Sequence, residues 1–203
     1  IGNLRETLHS RTVVSDLRKT APVERFVALL RGINVGRAKR VAMSDLRALL
    51  HSLGYRNVRT LLNSGNAVFD CPAEPQAKLA DRIQAAVAEK LGVEAVVVVK
   101  SAKDMAAVVS GNKLAAVATD PSRLLVAFTS DARALARLMP LAKTDWKSEA
   151  VHVGKHAAYI WCANGILESQ AAVALLRDLE GTGTTRNWST VEKINALLQQ
   201  DSA

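Results

Sequence analysis

Two stretches of this 203-residue chain carry side chains that could meet a ligand: Arg31-Gly32-Ile33-Asn34-Val35-Gly36 and Asn63-Ser64-Gly65-Asn66. Arginine offers a planar fork of donors that fits phosphate or carboxylate oxygens. Gly32 and Gly36 let backbone N–H groups approach a bound group closely. Asn34, Asn63 and Asn66 can donate or accept, which suits a base edge or an amide. Ser64 has no histidine or lysine beside it in sequence to activate its hydroxyl. Neither stretch holds a carboxylate, which weakens general-base or metal chemistry.

A third stretch, Gly181 to Trp188, includes Arg186 and Asn187. It is rich in Gly and Thr and precedes a helix start, as an anion cradle would. It lacks the Lys-Ser/Thr ending of a P-loop. All three stretches also have a structural reading. Asparagines at turns satisfy their own backbone, glycines serve positive φ, an arginine can cap carbonyls, and Trp188 reads first as a packing anchor. No catalytic residue can be assigned, no cofactor is indicated, and the balance leans away from an enzyme. His152 and His156 flank the expected hairpin turn at Gly154-Lys155 rather than sharing a helix face, so no metal site is expected.

The elements that must position these residues follow from hydrophobic spacing. Arg25 to Leu30 reads as a buried strand. Leu46, Leu49, Leu50 and Leu53 mark one helix face, stopped by Gly54. Val58 to Leu62 and Ala67 to Phe69 form a hairpin about the Asn63–Asn66 turn. Leu79, Ile83, Val87 and Leu91 mark a second helix ended by Gly92, and Val93 to Val99 a fourth strand. The order β-α-β-β-α-β is the ferredoxin-like arrangement. In it the first and third strands are neighbours, so the Arg31–Gly36 loop and the Asn63–Asn66 turn share one edge of the sheet.

Ser101 with Asp104 opens a short helix, as in a capping box. The second half then reads β-α-β-β-α, a partial repeat without its last strand, which the Gly181–Trp188 loop replaces. A final helix is expected from Ser189, with Glu192 completing a second capping box. The expected organisation is a loosely ordered extension over 1–24, a ferredoxin-like domain over 25–100, and a second α+β half over 101–203. If the second half repeats the first, Arg186 reaches the same cleft as Arg31, Asn34, Asn63 and Asn66.

The chain's net charge is +8, and its distribution is uneven. Residues 1–60 hold 12 Lys/Arg against 4 Asp/Glu, while 61–203 hold 15 of each. A local excess of this kind attracts phosphates, though a basic soluble surface needs no more explanation than itself. Aromatics are only 4%, so the core must be built from Leu, Val and Ala. No apolar run reaches the roughly 18 residues of a membrane helix, and residues 1–24 lack the layout of a signal peptide. Cys71 and Cys162 stand far apart, in no metal or redox spacing, as expected of a cytoplasmic protein.

With these stretches read, the chain resembles the bacterial domain-of-unknown-function family 1697 over about residues 25–200. The matching residues are Ala28-Leu29-Leu30-Arg31-Gly32-Ile33-Asn34-Val35-Gly36, Ser64-Gly65-Asn66-Ala67-Val68-Phe69 and Thr184-Thr185-Arg186-Asn187-Trp188-Ser189-Thr190-Val191. Three separated motifs in order make the match specific. Arg37 stands where the family usually has a second Gly, and Ser189 where it usually has Asn. The resemblance implies an α+β, ferredoxin-like fold in a stand-alone bacterial cytosolic protein. It implies no established activity, substrate or cofactor. The residues themselves point first to binding of a phosphate-bearing partner, a nucleotide or RNA. The alternatives are a small-molecule enzyme holding an acidic substrate with Arg31 and Arg186, and a structural or oligomerisation domain. Oligomeric state is not legible.

Overall fold

A computed structural model describes residues 22–34, 40–179 and 181–200. The first 21 residues of the expected extension, and Gly36, Arg37 and Lys39 of the basic loop, lie outside that set. The first half is β1 (Val23–Arg31), α1 (Met43–Ser52), β2 (Arg56–Leu61), β3 (Asn66–Pro72), α2 (Gln76–Leu91) and β4 (Val96–Ser101). Its sheet has the order β2-β3-β1-β4, with every neighbour antiparallel. This is the expected ferredoxin-like arrangement. β1 is longer than its apolar run because Val23 and Glu24 pair with Pro72 and Cys71. β4 starts three residues later than expected, at Val96, opposite Arg31. Asn66 belongs to β3 rather than to the turn and pairs with Leu29. The ends of β1 and β2 and the starts of β3 and β4 therefore share one edge.

The second half is α3 (Ala102–Ser110), β5 (Leu124–Thr129), α4 (Ala132–Ala136), β6 (Ala150–Val153), β7 (Ala158–Trp161), α5 (Gln170–Asp178), β8 (Gly183–Asn187) and α6 (Trp188–Gln199). Ser101 caps α3 by accepting from the Asp104 N–H, as its spacing predicts. The sheet order is β6-β7-β5-β8, the same arrangement again. The strand expected to be missing is present. Gly183–Asn187 is no cradle loop; it pairs antiparallel with β5. It contains no apolar side chain to signal a strand, and its stability comes from the ladder to β5. Gly183 lies so close to β5 that a Cβ there would sit 2.5 Å from the Phe128 carbonyl oxygen. The last helix is capped by Asn187, which accepts from the Thr190 N–H. Ser189 instead lies inside α6 and donates to Asn187, so the expected Ser189–Glu192 capping box does not form.

Three apolar layers explain the continuous hydrophobic strands. Phe26, Ala28 and Leu30 pack under α1 and α2. Val27, Leu29 and Val98, on the opposite face, join Val126, Phe128 and Tyr159 of the second sheet, with Met105 of α3 and Ile194 of α6 between them. Leu125, Ala127 and Ile160 pack against Ala171, Ala172 and Leu175 of α5. Each central strand is thus buried on both faces, and the two halves share the middle layer. Cys71 and Cys162 are buried free thiols in different outer layers. No helix among the described residues is long and apolar enough to cross a membrane.

The turn between β2 and β3 depends on Gly65. Its φ is +75°, and a Cβ there would lie 2.8 Å from the Ile33 side chain and 2.9 Å from Leu30 Cβ. Gly65→Val is expected to cost about 1–3 kcal/mol from backbone strain alone, with the overlap adding to it. Urea denaturation reads the loss; a mutant as stable as the parent would contradict the turn geometry.

Candidate functional site

Arg186 lies where the two halves meet. Strand alternation turns Thr184 and Arg186 inward, and Arg186 is only 8% exposed. Its Nε donates to Asn66 Oδ1 at 2.5 Å. Nη1 donates to Thr184 Oγ1 at 2.8 Å and to the Thr185 carbonyl at 2.7 Å. Nη2 donates to the carbonyls of Leu30, Ser64 and Gly65 at 2.8, 3.0 and 3.3 Å. All three nitrogens are engaged. Among the described residues no carboxylate forms an ion pair with it. Burial pushes its pKa down to about 10, which leaves the group cationic at neutral pH. A buried charge persists when every donor finds an acceptor, and here the acceptors are neutral dipoles.

The asparagines are committed in the same way. Asn66, 1% exposed, donates to the Leu61 carbonyl at 2.9 Å and to Ser64 Oγ at 3.0 Å while accepting from Arg186. Asn34 takes a left-handed conformation, φ +56°. Its amide donates to the Val41 and Asn63 carbonyls at 3.0 and 2.8 Å and accepts from the Val41 N–H at 2.9 Å. It therefore ties Val41 and the β2–β3 turn to the end of β1. Asn187 is occupied as the cap of α6.

The atoms left over differ from the set the motifs suggest. Arg31 is half-buried, and its Nη1 makes only long bonds, 3.4 and 3.3 Å, to the Leu179 and Gly183 carbonyls. Its Nε and Nη2 meet no acceptor among the described residues. The Asn63 amide is exposed, and the Ser64 hydroxyl accepts from Asn66 but keeps its own proton to donate.

These groups open onto a notch of about 490 Å³. Leu30 to Asn34 form one wall, Leu62 to Ser64 the other, and Thr184 to Arg186 the floor. No carboxylate lines it among the described residues. Of the residues expected to share a pocket, Arg31, Asn34, Asn63 and Arg186 line the notch, as do Gly32 and Ser64. Asn66 stands one layer behind, holding Arg186, and Asn187 does not line it. Thr184 and Thr185 do line it, though the sequence reading did not single them out. The signal available was the β-branched pair inside Gly-Thr-Thr-Arg, which favours a strand.

Arg186→Met would strand several buried carbonyls and is expected to destabilise the fold by about 3–5 kcal/mol. Arg186→Lys, with three donors and no planar fork, should recover only part of that loss. A methionine variant within about 1 kcal/mol of the parent in urea denaturation would overturn this role.

The same architecture occurs in the solved structure of the conserved bacterial protein SP0830 from Streptococcus pneumoniae. It superposes with a TM-score of 0.73 at 25% identity, covering 88% of this chain and 100% of that one. A candidate chlorite dismutase, TA0507, is matched over 87% of this chain and 99% of its own, but its 13% identity and TM-score of 0.22 carry no argument. No curated protein matches the chain. The family model for a protein of unknown function, DUF1697, matches residues 23–159, which include the walls of the notch but not its floor. With two thirds of its length matched, the chain belongs to the DUF1697 family.

Proposed function

We propose that the chain binds a phosphate-bearing ligand, a nucleotide or a segment of RNA, in the notch between its halves. The observation that carries this reading is electrostatic. The notch has the Arg186 charge in its floor and Arg31 in its wall, with no carboxylate among the described lining residues. An anion in the notch would sit within reach of both, in surroundings less polarisable than bulk water. Arg31 still has nitrogens to donate, and the hydroxyl of Ser64 is placed to add a neutral donor. Arg186 acts through its charge, because its hydrogens are spent on the protein. The basic excess in residues 1–60 would draw such a ligand in.

The reading favours the phosphate over the base. Stacking on an open sheet face, common in single-strand RNA recognition, needs exposed aromatics. Phe26, the one aromatic of β1, is 1% exposed and packs against Phe69 under the helices. A structural role is the second reading, favoured by the complete internal use of Asn34, Asn66 and Arg186.

A thermal-shift panel of inorganic pyrophosphate, nucleoside mono-, di- and triphosphates and short RNAs separates the two. A phosphate ligand is expected to raise Tm saturably, and its affinity should fall steeply with salt. Arg31→Ala should weaken binding by about 1.5–3 kcal/mol, the worth of a charge-assisted hydrogen bond. Arg40→Glu, at an exposed position beside the site, should weaken it less. If none of these ligands shifts Tm at low salt, the structural reading stands and this one falls.

A further inference from the structure

The two halves place cations at equivalent positions, and only one of them is spent. Arg186 immediately precedes Asn187, the cap of α6, at the end of the last strand of the second half. Lys100 immediately precedes Ser101, the cap of α3, at the end of the last strand of the first half. Strand alternation puts Lys100 on the face of Val98, which belongs to the middle layer. As Arg186 reaches the end of β1, Lys100 reaches the end of β5. It shares a cavity of about 140 Å³ with Thr129, Asp131 and Asp104, and with Lys155 and His156 from the β6–β7 hairpin.

The partners around Lys100 are themselves ordered. Asp104 Oδ2 accepts from Ser101 Oγ at 3.0 Å and from the Gln76 amide. Its Oδ1 faces His156 Nδ1 at 3.6 Å. Burial would raise the Asp104 pKa, but the hydrogen bonds from Gln76 and Ser101, with Lys100 and His156, hold it below the usual carboxylate range. Asp131 Oδ1 caps α4. Lys100 makes no hydrogen bond to a described residue. Burial draws its pKa below that of an ordinary lysine, while Asp104 and Asp131 oppose the shift. A desolvated amine in a cavity, beside an acid–histidine pair and a second lysine, is the setting of an amine nucleophile.

We propose that Lys100 condenses with the carbonyl group of a small oxo acid, with Lys155 holding the acid's carboxylate and the His156–Asp104 pair moving the protons. The neutral Nζ adds its lone pair to the carbonyl carbon. The C–O π pair moves to oxygen, which takes a proton from His156. The nitrogen then returns a proton to His156, which passes it to the hydroxyl; the nitrogen lone pair expels water, and the iminium gives its remaining N–H proton back to His156, leaving an imine. One water is released, and no oxidant or reductant takes part. This site is separate from the notch and does not depend on it.

The test treats the full chain with glyoxylate and sodium cyanoborohydride across roughly pH 6 to 10, spanning His and Lys titration, and maps the reduced adducts by mass spectrometry. Lys100 is expected to be labelled several-fold faster than Lys78, Lys90 and Lys103, with a midpoint at lower pH. His156→Gln should slow labelling at Lys100 alone and change its pH profile. Acetaldehyde, which lacks the carboxylate, should lose the preference for Lys100. Labelling of Lys100 no faster than of the other lysines would overturn the proposal. So would a rate at Lys100 indifferent to His156→Gln, and an undiminished preference with acetaldehyde would remove the oxo-acid assignment.

Discussion

A single buried guanidinium ties the two halves together. Arg186 comes from β8, in the second half, and its Nη2 bonds to the end of β1 and to the β2–β3 turn, in the first. The three motifs that set this sequence apart therefore meet at one side chain. Leu30, Ser64 and Gly65 supply carbonyls, Asn66 an amide oxygen, and Thr184-Thr185 the remaining acceptors. Six acceptors around a planar cation fix distance and angle together, which a hydrophobic contact cannot do. The constraint reaches outward. Gly65 can carry no side chain because Leu30 and Ile33 close over it, and Gly183 none because β8 must lie close enough to β5 to aim Arg186.

The same interaction divides the motif residues into two groups. Asn34, Asn66 and Arg186 hold backbone in place, and Asn63 and Ser64 are held in place by them. Rigid support behind a few available donors is the arrangement a binding site needs, because groups already ordered lose little entropy when a ligand arrives. The Arg186 charge behind the floor, which no described carboxylate pairs, would bias such a site towards anions. On the proposed reading, the motif residues with internal roles stand one layer behind those left for a ligand.

Much of the fold was legible because apolar runs and glycine stops survive any tertiary context. Leu46 to Leu50 and Leu79 to Val87 announce helices, and Gly92, at φ +64°, ends one as its position suggested. β8 was not legible. Gly-Thr-Thr-Arg-Asn has no apolar residue to alternate, and what makes it a strand is its pairing with β5, sixty residues earlier in sequence. The site was legible to the level of strand direction, which brought Arg31 and the Asn63–Asn66 turn to one edge. The use of each side chain was not. Asn66 and Arg186 bond to carbonyls whose positions exist only in the folded chain, so residue type suggested ligand donors where the molecule needed internal ones. The cap of α6 shows the same limit at short range, because both Asn187 and Ser189 can cap, and only the end of β8 decides between them.

The repeat of one arrangement in both halves gives the difference between Arg186 and Lys100 its meaning. Each is the last inward residue of an edge strand, each stands before a helix cap, and each crosses towards the other half's first strand. A guanidinium at that position can bridge several carbonyls at once, and the chain uses it to join the halves. An ammonium has one nitrogen and cannot span such a set of acceptors. At Lys100 the surroundings differ accordingly: carboxylates and a histidine replace the converging carbonyls, and a cavity replaces the close contact. The Arg186 clamp adds to an apolar layer the two sheets already share and to the bonds that Arg25 makes to the Leu198 and Gln200 carbonyls. The second, equivalent position is then free of that structural demand, and a half-buried amine can be kept there without locking the fold.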